Sequence, residues 1–465
     1  MSSDTIAAIS TPPGPGAIGI LRLSGPEAVP IAERCFKPLG RKGLREHRPR
    51  ELAYGDLLDS GGAPIDRVLC TYSLGPSSYT GEDTAEFQCH GSPMVLALGL
   101  EALFAAGARQ AGAGEFTKRA FLNGRLDLAQ AEAVGDLLSA RSREGARHAA
   151  GQLAGALSKK IGDIYSALVD VMAHFHAVLD YPDEDIDPFR LEELSATLEE
   201  QSDRLWRLVG SGHAGMLLSE GLKCPIVGRP NAGKSSLLNA LAGYDRAIVT
   251  DIPGTTRDTV EVPVQVGGVL IRLIDTAGIR ESDDPIERIG VERSRAAMEG
   301  CNLILMVCDG SAPFTREDAN LLEECLNRAD TVLVWNKTDL PSAPVPFLSL
   351  RLELEEHLHI VPVSVKTGAG LEELEESMRT LAEEFFPRAQ EAAYGQLLTN
   401  ERQIEAAERA YRCVHRALEA LWAGFTPDAL LTDVEEALSA LGELTGQSVR
   451  EDVTDRIFSK FCVGK

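Results

Sequence analysis

Several features are absent from this 465-residue sequence. It has no apolar run of about 18 residues, and its N-terminus lacks the basic stretch and apolar core of a signal peptide. Its nine cysteines form no CxxC pair, and no HExxH or comparable metal-ligand spacing occurs. We therefore expect no membrane span, no cysteine–histidine metal site and a cytoplasmic location. Five cysteines lie among apolar residues and are expected in hydrophobic cores: Cys35, Cys70, Cys224, Cys301 and Cys308.

Positive charge is also scarce. Lysine and arginine total 46 against 70 acidic residues, which gives a formal net charge of −24. A protein that holds a nucleic-acid backbone alone usually has a basic face, so any function on RNA requires a basic partner or a local basic patch. Hydrophobic residues make up 44%, which is enough for packed cores and excludes global disorder.

The hydrophobic pattern changes along the chain. Up to about residue 120, strand-like runs alternate with Gly/Pro turns, which is typical of an α+β module. Helical Ala/Leu/Glu periodicity follows from about Phe121 to residue 208 and returns over 389–445. Between these blocks, strands, glycine loops and helices alternate as in a parallel-sheet α/β domain.

This order predicts a multidomain protein in which an α/β domain is inserted into an all-α helical domain. The predicted boundaries are 1–120 for the α+β N-terminal domain, 121–220 and 384–465 for the two parts of the helical domain, and 221–383 for the α/β domain.

A phosphate-binding loop begins the α/β segment. An apolar strand at 222–227 runs directly into GRPNAGKS at 228–235, and a helical sequence follows, which is the context that a P-loop requires. Its glycines let backbone N–H groups face the phosphates, its lysine reaches the β- and γ-phosphates, and the next hydroxyl binds Mg²⁺. The predicted nucleotide-binding residues here are Gly228, Asn231, Ala232, Gly233, Lys234, Ser235 and Ser236, with Ser235 as a magnesium ligand.

Three further motifs follow in the order of a Ras-like GTPase. In DTAG at 275–278, Asp275 can hold Mg²⁺ through water and Gly278 can donate its N–H to the γ-phosphate. In NKTD at 336–339, Asp339 accepts two hydrogen bonds from guanine that adenine cannot donate, while Asn336 and Lys337 brace the loop. The motif therefore predicts GTP rather than ATP. The last motif resembles the SAK loop that contacts the guanine oxygen and comprises Ser364, Val365 and Lys366.

Two features separate this sequence from signalling GTPases. Ile279 occupies the place of the water-orienting glutamine, so another residue of the segment 280–290 must take that role. In the first switch, TDIPGTTRD at 250–258, Thr255 or Thr256 is expected to bind Mg²⁺. The carbonyls and hydroxyls of this loop could also hold a monovalent cation against the phosphates, because no arginine finger is evident.

Motifs at both ends of the chain narrow the class. The N-terminal region contains TPPG at 11–14, GILRLSG at 19–25, YTGED at 79–83 and GEFTKRAFLNGRLDL at 114–128, and the chain ends in FCVGK at 461–465. With these motifs the sequence resembles the MnmE (TrmE) family of tRNA-modification GTPases over essentially its whole length. The nucleotide motifs alone would fit several ribosome-assembly GTPases, whereas the two ends would not.

The resemblance implies functions for the N-terminal and nucleotide-binding regions. The N-terminal domain would form a homodimer and bind a tetrahydrofolate derivative (5,10-methylene- or 5-formyl-tetrahydrofolate). The implied folate-binding residues are Arg22, Glu86, Arg125 and Lys465. The implied potassium ligands are Asn231, Thr250, Ile252 and Thr255. The implied catalytic residue is Glu287, which orients the attacking water through a second water.

The resemblance also implies a partner and a reaction. Members act with the FAD-dependent flavoprotein MnmG (GidA), in a heterotetramer or larger assembly. Together they install an aminomethyl-type (carboxymethylaminomethyl) group at C5 of the wobble uridine of tRNA. A partner with a basic RNA-binding face would also account for the acidity of this chain.

Other interpretations remain open. Cys462 is either a nucleophile whose pKa a neighbouring cation lowers, or a packing residue beside the folate pocket. The whole protein could instead be a ribosome-assembly or regulatory GTPase in which the flanking regions serve only as docking modules. The motifs at both ends of the chain disfavour this alternative. A third possibility is an aminomethyltransferase with an ancillary GTPase, which would transfer one-carbon units without GTP.

Overall fold

A computed structural model describes residues 4–180, 191–243, 260–275, 297–341, 358–385, 394–424, 427–448, 451–459 and 461–464. Seven of the predicted site residues lie outside these ranges: Thr250, Ile252, Thr255, Thr256, Gly278, Glu287 and Lys465. The chain divides into two compact units, which are Met1–Gly135 with Ile161–Tyr165 and Glu435–Lys465, and Asp136–Lys160 with Ser166–Val434.

The bounds of the secondary structure are as follows. The strands are β1 Ile6–Ile9, β2 Gly16–Ser24, β3 Phe36–Pro38, β4 Ala53–Leu58, β5 Pro64–Ser73, β6 Thr84–Gly91, β7 Arg109–Gln110, β8 Leu222–Val227, β9 Val260–Val266, β10 Val269–Asp275, β11 Leu303–Asp309, β12 Asp330–Asn336 and β13 Leu358–Pro362. The helices are α1 Ala28–Cys35, α2 Pro93–Ala105, α3 Glu115–Leu122, α4 Leu128–Ser139, α5 Arg143–Leu153, α6 Ala156–Asp180, α7 Leu191–Gly210, α8 Gly212–Glu220, α9 Lys234–Gly243, α10 Arg316–Leu326, α11 Leu371–Glu384, α12 Glu401–Trp422, α13 Pro427–Thr445 and α14 Glu451–Phe458.

The first unit is built on a seven-stranded sheet with the order β3-β4-β5-β6-β2-β1-β7. Its strands alternate buried and exposed residues, as a sheet with one face on a core requires. Leu21 and Leu23 of β2 and Phe87 of β6 belong to the core that α1 and α2 cover. The last helix, α14, belongs to the same unit, where Phe458 lies 6.3 Å from Phe121 of α3, centroid to centroid.

The α/β part of the second unit has a six-stranded sheet with the order β13-β12-β11-β8-β10-β9. Every pairing in it is parallel except that of β9 with β10. The parallel strands are apolar along nearly their whole length because helices cover both faces. The predicted strand at 222–227 is β8, which lies between β10 and β11, and its C-terminal end leads into the phosphate loop.

The helices that follow the N-terminal region differ in detail from the predicted periodicity, which begins at about Phe121. The pattern over 128–157 is interrupted, because Ser142 caps a new helix by accepting a hydrogen bond from the Gly145 N–H, and Gly155 has a φ of +89° between α5 and α6. Among the described residues, no helix is both long and apolar enough to cross a membrane.

The helical blocks before and after the α/β segment pack together. Helix α7 lies along α12, whose buried residues repeat at helical spacing. Two residues of α5 form hydrogen bonds with Leu397, in the chain that follows the α/β segment. Gln152 Nε2 donates to the Leu397 carbonyl at 2.7 Å, and His148 Nε2 accepts from the Leu397 N–H at 3.2 Å. Burial lowers the pKa of His148 to about 4, so at neutral pH its imidazole is neutral and can accept this bond. The α/β domain is therefore inserted into the helical one.

Candidate nucleotide-binding site

The phosphate loop follows the C-terminal end of β8 and ends where α9 begins at Lys234. Gly228 has a φ of +143°, and a Cβ there would lie 2.2 Å from the Val307 carbonyl oxygen. Gly233 has a φ of +104°, and a Cβ there would lie 2.3 Å from Asn336 Nδ2. Only glycine fits both places, so the backbone can pass close to its neighbours and present its N–H groups with those of the first turn of α9.

Lys234 and Ser235 are the first two residues of α9, directly after the phosphate loop. Lys234 Nζ donates to the carbonyls of Gly228 at 2.8 Å and Arg229 at 3.0 Å. Burial lowers the pKa of the Lys234 ammonium, and the carboxylate of Asp275 acts against this shift. These carbonyl contacts hold the ammonium over the loop, where an anionic phosphate oxygen could replace them. Ser236 is exposed in the same helical turn.

Asp275 ends β10 beside the phosphate loop. It is buried, and its Oδ2 accepts a hydrogen bond from Ser235 Oγ at 3.0 Å. A hydroxyl and a carboxylate at this distance are hard oxygen donors of the kind that Mg²⁺ prefers. The predicted P-loop serine and DTAG aspartate therefore come together, although they are 40 residues apart in the sequence.

Asn336 joins the phosphate loop to the loop that follows β13. Its buried side chain donates from Nδ2 to the Ala232 carbonyl at 2.9 Å and accepts at Oδ1 from the Val365 N–H at 3.2 Å. The next residue, Lys337, has a φ of +65°, which turns the chain towards the base-binding loop. One side chain thus sets the position of two predicted ligand-binding segments.

Asp339 lies against the serine of the last motif. Ser364 Oγ donates to Asp339 Oδ1 at 2.8 Å, and Lys366 Nζ is 3.9 Å from Asp339 Oδ2. A carboxylate has about four lone-pair sites, so one hydrogen bond from Ser364 leaves acceptors on both oxygens. Asp339 is therefore held in one orientation and can accept a pair of parallel N–H bonds, which is the pattern that guanine presents.

Two anchoring contacts were not predicted from the sequence. Lys337 Nζ donates to Asp309 Oδ2, at the end of β11, at 2.6 Å. Burial would raise the pKa of Asp309, but hydrogen bonds from Lys337 and Ser311 more than offset this and hold it below its usual value. Arg229 of the phosphate loop contacts Asp318 Oδ2 at 3.4 Å. Two sequence signals could have predicted these contacts: Asp309 at the end of the apolar strand β11, and the capping box of α10, which contains Asp318.

We expect Asn336→Ala to weaken both the fold and GTP binding. The change leaves the Ala232 carbonyl and the Val365 N–H without their partner, which costs roughly 1–3 kcal/mol for a buried polar group. The free energy of unfolding by denaturant and the GTP dissociation constant, measured on the same protein, test this.

The matched control is Asn327→Ala, which makes the same change at an exposed residue just after α10. It should leave both quantities within experimental error of the unsubstituted protein. Equal stability and affinity for Asn336→Ala would show that Asn336 does not organise the site.

The predicted folate-binding residues lie in the first unit. Arg22 of β2 and Glu86 of β6 are direct partners in the sheet register, and Arg22 Nε donates to Glu86 Oε1 at 2.7 Å. The Arg22 guanidinium lies 5.8 Å from the ring centroid of Tyr79 and 5.7 Å from that of Phe116. The exposed Arg125 packs its stem near Gly81, in the same loop as Tyr79. Arg22, Glu86 and Arg125 are thus grouped around residues 79–86.

The end of the chain docks on the same unit. The Gly114 N–H donates to the Cys462 carbonyl at 3.2 Å, and Ser10 Oγ donates to the Gly464 carbonyl at 2.9 Å. The Cys462 thiol is exposed, whereas seven other cysteines are buried and Cys301 is half-buried. Both proposed roles of Cys462 remain predictions, and Lys465 lies just beyond the described residues.

The fold and these loops define a P-loop GTPase, that is, a protein that binds and hydrolyses GTP. Two family models match the chain: the GTP-binding protein TrmE N-terminus over residues 5–125 and the MnmE helical domain over residues 128–462. The curated tRNA modification GTPase MnmE of Chloroflexus aurantiacus is 44% identical over 463 residues and that of Heliobacterium modesticaldum 42% over 468, each match covering 100% of both chains. The chain belongs to the MnmE family.

These findings confirm the predicted family, the fold class and GTP hydrolysis. The functional residues and domain boundaries stay predictions.

Proposed function

We propose that this protein is a potassium-activated GTPase of tRNA modification in the cytoplasm. It acts with an FAD-dependent MnmG-type flavoprotein to install an aminomethyl-type (carboxymethylaminomethyl) group at C5 of the wobble uridine, with a tetrahydrofolate derivative as one-carbon donor. The observation that carries the GTPase part is the bridge from Asn336 to both ligand-binding loops beside the oriented Asp339. The RNA part rests on full-length similarity to relatives named tRNA modification GTPases.

Each residue of the site would have a separate function in GTP hydrolysis. Lys234 would exchange its loop carbonyls for β- and γ-phosphate oxygens, and Asp339 would select guanine. Mg²⁺ held by Ser235, with Thr255 or Thr256 of the first switch and Asp275 through water, would neutralise phosphate charge. Gly278 would donate its N–H to the γ-phosphate, and Glu287 would position the attacking water through another water.

We expect turnover to rise on the order of 10-fold or more when K⁺ replaces Na⁺. The proposed ligands of the cation are Asn231, Thr250, Ile252 and Thr255, and the ion would supply charge at the transition state that other GTPases obtain from an arginine. Asn231 has a φ of +61° in the phosphate loop, a conformation that asparagine tolerates better than most residues. Initial rates at constant ionic strength in the two salts measure the effect.

An Asn231→Ala variant should lose the difference between the salts, while Asn327→Ala should keep it. Identical rates of the unsubstituted protein in K⁺ and Na⁺ would remove potassium from the proposal.

The first unit would bind the folate and form the homodimer. Arg22 and Arg125 carry positive charge that would pair with the glutamate carboxylates of a folate. Glu86 would accept hydrogen bonds from its pterin ring. Tyr79 and Phe116 add aromatic surface beside Arg22. Cys462 and Lys465 would lie at the docked chain end, with Cys462 a candidate nucleophile.

The proposal can be tested with purified components. The protein, the flavoprotein partner, unmodified tRNA, a tetrahydrofolate donor and GTP should together give modified wobble uridine, and replacing GTP by GDP should abolish the product. One-carbon transfer without GTP would favour the aminomethyltransferase alternative. Binding of ribosomal subunits without any folate binding would favour the ribosome-assembly alternative.

A further inference from the structure

The segment from the end of β11 to the first turn of α10, residues 309–318, belongs to none of the nucleotide-binding motifs predicted from the sequence. It nevertheless contacts two of the loops that contain those motifs. One end of the segment is bonded to Lys337 of the NKTD loop, and the other end to Arg229 of the phosphate loop. We call residues 309–318 the brace.

Asp309 joins the brace to the NKTD loop. Its Oδ2 accepts a hydrogen bond from Lys337 Nζ at 2.6 Å, and its Oδ1 accepts from the Ser311 N–H at 3.0 Å and from Ser311 Oγ at 2.6 Å. Beside it, the Gly310 N–H donates to the Asn336 carbonyl at 2.7 Å, and a Cβ on Gly310 would lie 2.7 Å from that carbonyl oxygen. The brace thus holds both the backbone and a side chain at the start of the NKTD loop.

Lys337 needs this support because of its backbone conformation. Its φ is +65°, in the left-handed region that is unfavourable for a lysine and persists only where neighbouring groups fix it. The Lys337 carbonyl then accepts from the Leu340 N–H at 3.0 Å, which closes a turn that contains Asp339. Asp309 therefore sets the direction of the turn that carries the guanine-selecting carboxylate.

Asp318 joins the brace to the phosphate loop. Its buried carboxylate accepts at Oδ2 from the Thr315 N–H at 2.9 Å, from Thr315 Oγ1 at 2.7 Å and from Arg229 Nη1 at 3.4 Å. Arg229 Nη1 also donates to Thr315 Oγ1 at 3.2 Å. The Arg229 carbonyl in turn accepts from Lys234 Nζ at 3.0 Å and from the Ala232 N–H at 3.3 Å. One residue of the phosphate loop therefore connects the brace to the ammonium of Lys234.

Helix α10 gives the brace a fixed support. Its Leu322 and Cys325 are buried in one core with Trp335 of β12. In the part of the chain that the structure describes, Arg229 is the one cation at ion-pair distance from Asp318. A buried carboxylate without its counter-charge is costly, so this pairing favours one position of Arg229 although its side chain is 46% exposed.

We propose that the brace is a positioning element of the nucleotide site, with one acid for the base and one for the phosphates. Asp309 orients Asp339 through the NKTD loop. Asp318 orients Lys234 through the phosphate loop. The inference deepens the proposed function, because it rests on the functions proposed there for Asp339 and Lys234.

The two acids should act on different kinetic constants. Asp339 contacts the guanine base, which is the same in GTP, in GDP and in the transition state, so Asp309 should affect binding and not kcat. Lys234 contacts the γ-phosphate, whose transfer is the reaction, so Asp318 should affect kcat.

The test uses the full-length protein in K⁺ and Mg²⁺ and measures the dissociation constants of GDP and of a non-hydrolysable GTP analogue, together with the single-turnover rate of GTP hydrolysis. Asp309→Asn keeps the shape of the side chain and removes its charge. It should weaken both nucleotides equally, by about three- to tenfold as for the loss of one hydrogen bond, and leave kcat unchanged. In a Lys337→Gly background it should have no further effect, because glycine adopts the left-handed conformation without support.

Arg229→Ala tests the other end of the brace. It should lower kcat by about three- to tenfold and weaken GDP binding by less. Asp318→Asn should give a similar loss of kcat, and the double variant should lose no more than either single variant, since both remove the same link. Arg229→Lys keeps the positive charge and should recover part of the rate.

Glu323→Gln and Arg316→Ala are the matched controls, because they remove an exposed acid and an exposed arginine from α10. Both should match the unsubstituted protein in affinity and in rate. Asp309→Asn and Arg229→Ala should unfold at the same temperature as these controls, which separates positioning from a merely structural role.

Several results would overturn the proposal. Unchanged nucleotide affinity in Asp309→Asn, or unchanged kcat in Arg229→Ala, would contradict it. Equal losses of affinity and kcat in both variants, with a lower unfolding temperature, would show that the brace only stabilises the fold. If the unsubstituted protein prefers GTP over ATP while Asp309→Asn binds GDP normally, the proposed site stands and the brace falls. If the unsubstituted protein hydrolyses ATP as fast as GTP, the function proposed for Asp339 falls and the brace falls with it.

Discussion

Asp339→Asn should change the nucleotide preference from guanine to xanthine. Asp339 can accept bonds from both the N1–H and the 2-amino group of guanine, and Ser364 holds it in place. An amide donates at one of these positions, which opposes the amino group of guanine but matches the carbonyl of xanthine. We expect kcat/KM for GTP to fall by about 10²-fold or more, because mispaired buried polar groups discriminate strongly. Turnover of GTP, XTP and ATP by both proteins measures the change.

The control makes the same substitution at the start of the strand that leads to the Asp339 loop. Asp330→Asn, at the start of β12, should retain the original preference for GTP. Because adenine lacks both donors, the unsubstituted protein should hydrolyse ATP very poorly. Equal turnover of ATP and GTP, or a variant that still prefers GTP over XTP, would contradict the assignment of Asp339.

Glu287→Ala should nearly abolish hydrolysis while GTP affinity stays within a few-fold. Ile279 cannot orient water, and the phosphate-binding groups of Lys234 and Ser235 have other functions in the site. A carboxylate that positions water acts mainly in the transition state, so its loss appears in kcat rather than in binding. A loss of about 10²-fold or more is typical of such a group. Single-turnover rates in K⁺, with bound GTP quantified, give both values.

Neighbouring acids of the same segment serve as controls for Glu287. Glu281→Ala and Asp284→Ala remove a carboxylate at other positions and should keep kcat within a few-fold. If Glu287→Ala keeps its kcat while one of these variants loses it, the catalytic function belongs to that neighbour.

The local parts of the nucleotide site could be predicted from the sequence. The strand β8 has the predicted bounds, and the loop and helix that follow it are formed by residues consecutive in the sequence. The two bonds of Asn336 could not be predicted, because they depend on how closely three loops approach in the folded sheet. The pairing of Lys337 with Asp309 depends in the same way on the neighbouring positions of β11 and β12.

The N-terminal region shows the same limit. The sequence predicts short strands up to about residue 120, but nothing in the residues of β2 or β6 specified the register that places Arg22 opposite Glu86. The sequence predicted a helix-rich C-terminal segment, but not that Glu435–Lys465 would fall in the same compact unit as the N-terminal sheet; the boundary at 384–465 stays a prediction. The apolar periodicity of α13 indicates a helix that packs, and not the surface on which it packs.

The most direct measurement compares the tRNA nucleosides of cells that carry this gene with those of cells that lack it. The C5 modification of the wobble uridine should be present in the first and absent in the second. It should return with the intact gene but not with Glu287→Ala. Equal amounts of the modified nucleoside with and without the gene would contradict a function in tRNA modification.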